Sequence, residues 1–416
     1  MPLIAWARRQ PVAVRAAIAG VVIVVVAATA FAFAAGNRPA RQGTASLPRP
    51  SASLEPSASP SPSESPSPSP SPSDSPTPAP APPAAPPPAP APVPANCTPP
   101  SGGFPGTRLA ANYPTALAWS PDGRLFWAER SGQVKVYEGG AVHTFAGVSV
   151  STSGERGLLG LAISGSYVFA FFSNTDGANQ TIIRWTDCGG SAKNPTVIAS
   201  GLPAGSDCCH KGGRLAVSPD GHLFATIGDN HFASGAQNWG DLRGKVIRFN
   251  LDGSGRTVWT AGLRNPFGIA FAPDGTMGLT NNGPSGDAGT PCGSCGDEFY
   301  LVGRSPGILY QWATCWGYSH PFPNNHACTG QQPQFSTEGG PYNKSNPYFY
   351  APTGVTWSTG AYNGHFLFCA NSNGHMYEYL SQGSVSDTGL GNCSLDVKQG
   401  PGGVLYSSDS GAIYRH

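Results

Sequence analysis

Hydrophobic and polar positions divide this chain into three stretches. Behind Arg8, Arg9 and Arg15 an uncharged run, AAIAGVVIVVVAATAFAFAA, extends from Ala16 to Ala35. It is long enough to cross a bilayer as a helix, and the arginines ahead of it favour a cytoplasmic N-terminus. The small residues Ala32 and Ala34 also suit a signal peptidase, so 1–36 reads as a signal peptide or a membrane anchor. Apolar positions then disappear: 37–96 is Pro, Ser and Ala, as in SPSESPSPSPSPSDSPTPAPAPPAAPPPAPAP. Such a segment cannot bury enough surface to fold and is expected to be a disordered, extended linker. From Cys97 onward, short aromatic and β-branched runs alternate with Gly, Asn and Asp turns, and the helical period is missing. That pattern predicts an all-β domain over 97–416.

Within this domain a turn recurs: SPDGRLFWAE at Ser120, SPDGHLFATIGD at Ser218, APDGTMGLTNN at Ala272 and the degenerate GPGGVLYSSD at Gly400. Asp-Gly between two apolar runs reverses the chain into a hairpin. SGSYVFAFFS near Gly165 and NGHFLFCANSNGHMYEY near Gly364 fit with weaker turns, giving six units centred near Gly123, Gly165, Gly221, Gly275, Gly364 and Gly402. Propeller blades repeat every ~40–50 residues, so the pattern predicts a six-bladed β-propeller. The long gap after the fourth unit implies an insertion, 283–350, rich in Gly, Pro, Asn, Cys and Trp, and such loops often build a propeller's site. The last strand, GAIYRH, is expected to close the ring.

Charge narrows the partners. The chain has 24 Lys+Arg, 23 Asp+Glu, a formal net charge of +1 and only 11% charged residues, which leaves no electrostatic footprint for nucleic acid. Ten cysteines, all at or after Cys97, read as a disulfide set in an exported, extracytoplasmic protein, cell-surface anchored or secreted. A zinc site at Cys292-Gly-Ser-Cys295 is the competing reading, without a second CxxC pair to complete it. The adjacent Cys208 and Cys209 either bridge each other or pair with distant partners.

Three stretches carry candidate chemistry. In CCHKGGRLAVSPDGHLFATIGD, His210 lies in a Gly-flanked loop open to a ligand, and Asp229 ends the following strand; an Asp beside an imidazole fixes its tautomer and favours its protonated form. In GLRNPFGIAFAPDG, Arg264 and Asn265 stand before a strand, and Arg suits an oxyanion or a carboxylate. In NNGPSGDAG, Gly283 and Pro284 open a loop whose carbonyls suit calcium.

In this order, HKGGRL, SPDGHLFATIGD, LRGKVIRFNLDG, GLRNPFGIAFAPDG, NGP…DE and WGY resemble the glucose/sorbosone dehydrogenases, the soluble quinoprotein glucose dehydrogenases and aldose sugar dehydrogenases. The resemblance implies a six-bladed propeller with pyrroloquinoline quinone (PQQ) and Ca²⁺ on its top face, a sugar or related alcohol as substrate and an external electron acceptor. His210 would be the base, oriented by Asp229. Arg264 would steady charge on the quinone and Asn265 would hold the cofactor. The carbonyls of Gly283 and Pro284 would bind calcium. The family grips the PQQ carboxylates with a fifth-blade Lys and with an Arg-x-Arg-Asp-Val run opening the sixth. Here Asn373 aligns with the lysine, Cys393 and Leu395 occupy the arginine positions, and Asp396 and Val397 match. Lys211, Lys344 and Lys398 are the candidates to compensate. The alternative is a non-catalytic propeller that binds carbohydrate or protein, served by Trp312, Trp316 and Tyr318, since aromatic faces suit sugars.

Overall fold

The computed structural model describes residue 97 and residues 104–284, 296–318, 320–321, 327–337 and 351–416. The apolar run at 16–35, the linker at 37–96, Cys292, Cys295 and Lys344 lie outside the described residues. Among the described residues, no helix is long and apolar enough to cross a membrane.

Among the described residues, six blade sheets follow one another along the chain, each starting at the ring's centre and working outward in antiparallel strands, and a seventh, two-stranded sheet pairs Cys315–Trp316 with His320–Pro321. Blade one spans 114–147, blade two 158–203, blade three 212–261 and blade five 352–387. Blade four takes its strands Asn265–Phe271, Met277–Asn282 and Glu298–Val302 in succession and adds Phe335–Ser336 at its edge. Blade six is built from both ends of the domain. Asp396–Gln399, Leu405–Ser408 and Ala412–Arg415 are joined by Arg108–Ala110, with Leu109 opposite Ile413. The closing strand is thus GAIYRH paired with a short strand that precedes blade one. The insertion contributes Ile308–Leu309 to the outer edge of blade three, in parallel with Thr260–Ala261.

All six turn glycines head the first hairpin of a blade, between its first and second strands. Each has a left-handed φ, from 56° at Gly165 to 89° at Gly364. Glycine accepts that region without the Cβ penalty.

The core lies between blades rather than in one central cluster. Phe126, Phe145 and Trp185 fill the space between blades one and two, and Phe169, Phe171, Ile227 and Phe249 the space between two and three. Buried charge reinforces the ring near its axis. Arg214 of blade three forms an ion pair with Asp396 of blade six and donates to the carbonyl of Leu159 of blade two at 3.1 Å. Asp396 also accepts the backbone N–H of Leu117 in blade one at 2.8 Å. The inner strands are therefore fixed to one another, and they carry the loops that form the site.

Candidate active site

The first strand of blade three, Gly212–Val217, leaves His210 and Lys211 on its entry loop, while the second, Leu223–Ile227, runs back to end beside them. Close approach is required here: a Cβ on Gly228 would lie 1.9 Å from the carbonyl oxygen of His210. His210, Asn230 and His231 all adopt left-handed φ values of 53–60° without being glycine. Such backbone costs about 1–3 kcal/mol per residue and persists only where the surroundings enforce it.

Asp229 is brought against His210, with Nδ1 of the imidazole 2.7 Å from its Oδ1. The carboxylate also accepts the indole N–H of Trp312 on Oδ2 at 2.7 Å and the backbone N–H of His231 on Oδ1 at 3.0 Å. Facing these carboxylate oxygens, a neutral His210 holds its hydrogen on Nδ1, which leaves the unshared pair on Nε2. The structure thus brings together the two residues that the sequence paired. The imidazole is not open, however: its side chain is only 5% exposed, and Nε2 of His231 sits 3.1 Å from its own Nε2. Burial pulls the His210 pKa below its ordinary value, outweighing the hydrogen bond to Asp229, and Arg264 and His231 add to the lowering. Asp229 thus does not make the protonated form the favoured one.

Arg264 and Asn265 meet the same loop. The carbonyl of Arg264 accepts the N–H of Asp229 at 2.7 Å, and the Asn265 side chain accepts the N–H of Gly212 at 3.1 Å. Both residues are held by Asn281, whose Oδ1 accepts their backbone N–H groups at 3.1 and 3.0 Å. Beneath Asn281 lies Glu298, fully buried, which accepts from Asn281, Tyr300 and the N–H of Gly317. Burial pushes the Glu298 carboxyl up to about 7. The sequence reading passed over Glu155, which accepts the His210 N–H at 2.6 Å and that of Asn265 Nδ2 at 3.4 Å. Its signal was an acidic residue in GERGLLGL, a glycine-bounded loop between two blades.

These groups border a cavity of ≈ 210 Å³ at the ring's centre, whose walls include Glu155, Asn265, Asn282, Thr353, Asn371 and Leu395. His210 itself stands behind Glu155 and Asn265. Leu395 is at the wall, as the alignment placed it, but Cys393 is buried in a disulfide with Cys369. Asn371 lines the cavity, whereas Asn373 is exposed and turns to the Tyr377 hydroxyl at 2.8 Å. Asn371, two residues before the aligned Asn373, is thus the residue of this turn that borders the cavity.

The donors present do not fit a quinone gripped by cations at its carboxylates. Arg130, at the cavity wall, donates to the carbonyls of Thr152, Gly154 and Arg156. Lys211 is tied to the carbonyl of Ala204 and to Asn230, and burial lowers its pKa to about 8. Lys398 donates to the carbonyl of Val355 at 2.7 Å. Arg264 donates to the carbonyl of Asn282 at 3.1 Å. Gly283 and Pro284 are buried at the end of blade four's second strand, where Asp297 accepts the Gly283 N–H at 3.0 Å. No group of three or more His, Cys, Asp or Glu among the described residues is arranged to hold a metal ion.

Nor are the tryptophans sugar platforms. Trp312 and Trp316 are 4% and 6% exposed and pack with Ala236. The Tyr318 hydroxyl accepts the N–H of Ser336 at 2.9 Å. Disulfides join Cys97–Cys188, Cys208–Cys209, Cys315–Cys328 and Cys369–Cys393, so the adjacent pair does bridge itself, directly before His210.

Known proteins share this fold. The chain is 30% identical over 258 residues to quinoprotein glucose dehydrogenase B of Acinetobacter calcoaceticus, spanning 50% of this chain and about half (51%) of that enzyme. It is 24% identical over 333 residues to an aldose sugar dehydrogenase of Escherichia coli K12, covering 71% of this chain and 86% of that one. The PQQ-bound aldose sugar dehydrogenase of Streptomyces coelicolor superposes with a TM-score of 0.60 at 21% identity, over 76% of this chain and 99% of the other, which shows the shared fold. The family model for glucose/sorbosone dehydrogenases matches residues 111–415, the ring apart from its short closing strand Arg108–Ala110 and including the His210 loop, and this chain belongs to that family.

Proposed function

We propose that this protein is a dehydrogenase oxidising a hydroxyl of an aldose sugar or related alcohol outside the cytoplasm. His210 is the base that takes the hydroxyl proton at Nε2, and Asp229 holds its Nδ1–H. The observation that carries this reading is the pair's geometry: a buried imidazole, 2.7 Å from an aspartate that is itself locked by Trp312. Lowering of its pKa by burial keeps His210 neutral near pH 7, the form a base needs. Asn265 lines the cavity, Arg264 precedes it on the same strand entry, and both would face the cofactor. An alcohol oxidation also needs a two-electron acceptor. The relatives' names point to PQQ, and the motif resemblance adds calcium at the carbonyls of Gly283 and Pro284; with the neighbouring cations engaged by carbonyls, the carboxylates of a quinone would be held chiefly by neutral donors. The apolar run at 16–35, as leader or tether, and the disulfides support an extracytoplasmic setting.

A second reading, a non-catalytic propeller that binds carbohydrate or protein at the cell surface, is favoured by those committed cations alone. Its aromatic support is removed by the burial of Trp312 and Trp316.

Titrating the full chain with PQQ and Ca²⁺, while following cofactor absorbance and dye reduction with a panel of aldoses, separates the two. Turnover that falls by about 10²–10⁴-fold in His210→Ala is the expected result. No PQQ binding at tens of micromolar, and no turnover, would establish the binding propeller instead.

A further inference from the structure

His210 is not the end of its hydrogen-bonded chain. Beyond it stands His231, its ring edge-on with centroids 4.0 Å apart and planes at 77°. The far nitrogen of His231, Nδ1, lies 3.5 Å from Oδ2 of Asp207. The four groups form one line, Asp229–His210–His231–Asp207. Side-chain exposure rises along it from 1% and 5% to 33% and 58%. It therefore leads from the interior to water.

The geometry suits a proton passed outward. Nδ1 of His210 faces Asp229 at hydrogen-bond distance and carries a hydrogen. The inner two nitrogens, Nε2 of each ring, face each other at 3.1 Å, close enough to share one hydrogen between them. With its own hydrogen on Nδ1, toward Asp207, His231 presents a bare Nε2 to a proton arriving on His210. Glu155 on the His210 backbone, Arg264, and the neighbouring Lys211, bound to Asn230, are the other charged groups around it. Trp312 closes the inner side by donating to Asp229.

We propose that His231 and Asp207 are the proton outlet of His210, and that the His231 ring occupies the place of the substrate hydroxyl between turnovers. This rests on the reading of His210 as the base. With His231 swung outward, the hydroxyl O–H bond breaks and an N–H bond forms at Nε2 of His210. When His231 returns, its Nε2 accepts that proton, and its Nδ1–H is released to water beside Asp207. One proton enters from the hydroxyl and one leaves to solvent. The strained, left-handed backbone at Asn230 and His231 holds the second imidazole against the first. The exposed neighbours of Asp207, the Cys208–Cys209 bridge among them, keep the outlet in contact with water. His231 is thus a positioning and relay residue.

The test has two arms on the full chain. In ¹⁵N-imidazole NMR, His231→Gln and Asp207→Asn are each expected to slow exchange of the His210 ring proton with water. The Nδ1–H signature of the Asp229 contact should persist in both, showing that the loop is intact. Unchanged exchange in both variants overturns the relay, whether or not the protein is active. In turnover, His231→Gln is expected to lower kcat by about a hundredfold, the lower end for a positioned proton-transfer group, with KM little changed and added imidazole restoring the rate. A loss that imidazole does not restore assigns His231 a packing role only. Should the parent chain have no activity, the base reading fails, and the NMR arm still decides whether the relay exists.

Discussion

Toward blades two to four, the rim of the cavity is ordered and polar. Glu155, Asn265 and the loop carrying His210 interlock through backbone N–H groups, and each side chain is held by a second one behind it. Toward blades five and six, the same ring offers Thr353, Asn371 and Leu395, backed by the buried Cys369–Cys393 bridge. The two sides differ in what they can do to a ligand. The first can take a proton and donate oriented hydrogen bonds. The second gives shape without charge. On the proposed reading, the fold would keep its base while lacking a cationic grip on an anionic cofactor, the two residing on different blades.

The comparison breaks most visibly if the support under the polar side is removed. Glu298 holds Asn281, and Asn281 holds the backbone of Arg264 and Asn265. Because burial raises this carboxyl from about 4.5 to about 7, its neutral form is favoured in the fold. The stability it contributes is complete below the unfolded value and is lost as pH rises through about 7, on the order of 3 kcal/mol at most. The melting temperature of the parent should therefore drop between pH 5 and pH 8 relative to that of Glu298→Gln. Parallel curves for the two proteins would show that Glu298 is ionised throughout.

The uncharged side can instead be re-equipped. Leu395→Arg places a guanidinium at the cavity wall and should tighten PQQ by about ten- to a hundredfold, the worth of one charge-assisted hydrogen bond. Equilibrium titration by absorbance measures it. An unchanged Kd would mean that the cofactor's carboxylates do not reach blade six. A smaller effect, about fivefold, is expected for Asn371→Lys, whose longer, hydrated side chain loses more freedom on binding. Asn373→Lys, facing solvent beside Tyr377, should leave Kd unchanged. If the order of the two is reversed, the fifth-blade assignment to Asn371 is wrong.

Much of the ring was legible because its information is local. An Asp-Gly turn between two apolar runs needs no distant partner to form, so the hairpins at Gly123, Gly221 and Gly275 could be placed by inspection, and Gly165, Gly364 and Gly402 followed by period. His210 and Asp229 lie at the adjoining ends of two neighbouring strands of one blade, and their pairing could be read from a short motif. What escaped depends on distance in sequence. Trp312 reaches Asp229 across 83 positions, and Glu155 reaches Asn265 across 110. His231 escaped for another reason: a left-handed run of Asn and His has no residue pattern that announces it. The turn after His365–Ala370 carries three polar residues in a row, and only the fold shows that Asn371 is the one bordering the cavity.

The seam of the ring is three residues long, Arg108–Ala110, and it begins eleven positions beyond Cys97. Taken as a mechanical joint, a strand that short would peel under modest tension. The Cys97–Cys188 bridge changes the load path. A pull on the chain ahead of Cys97 passes through a covalent link into the long outer strands of blade two, bypassing the seam. Reduction of that one bond would redirect the same force onto three rungs of hydrogen bonds, and the propeller would open where its two ends meet.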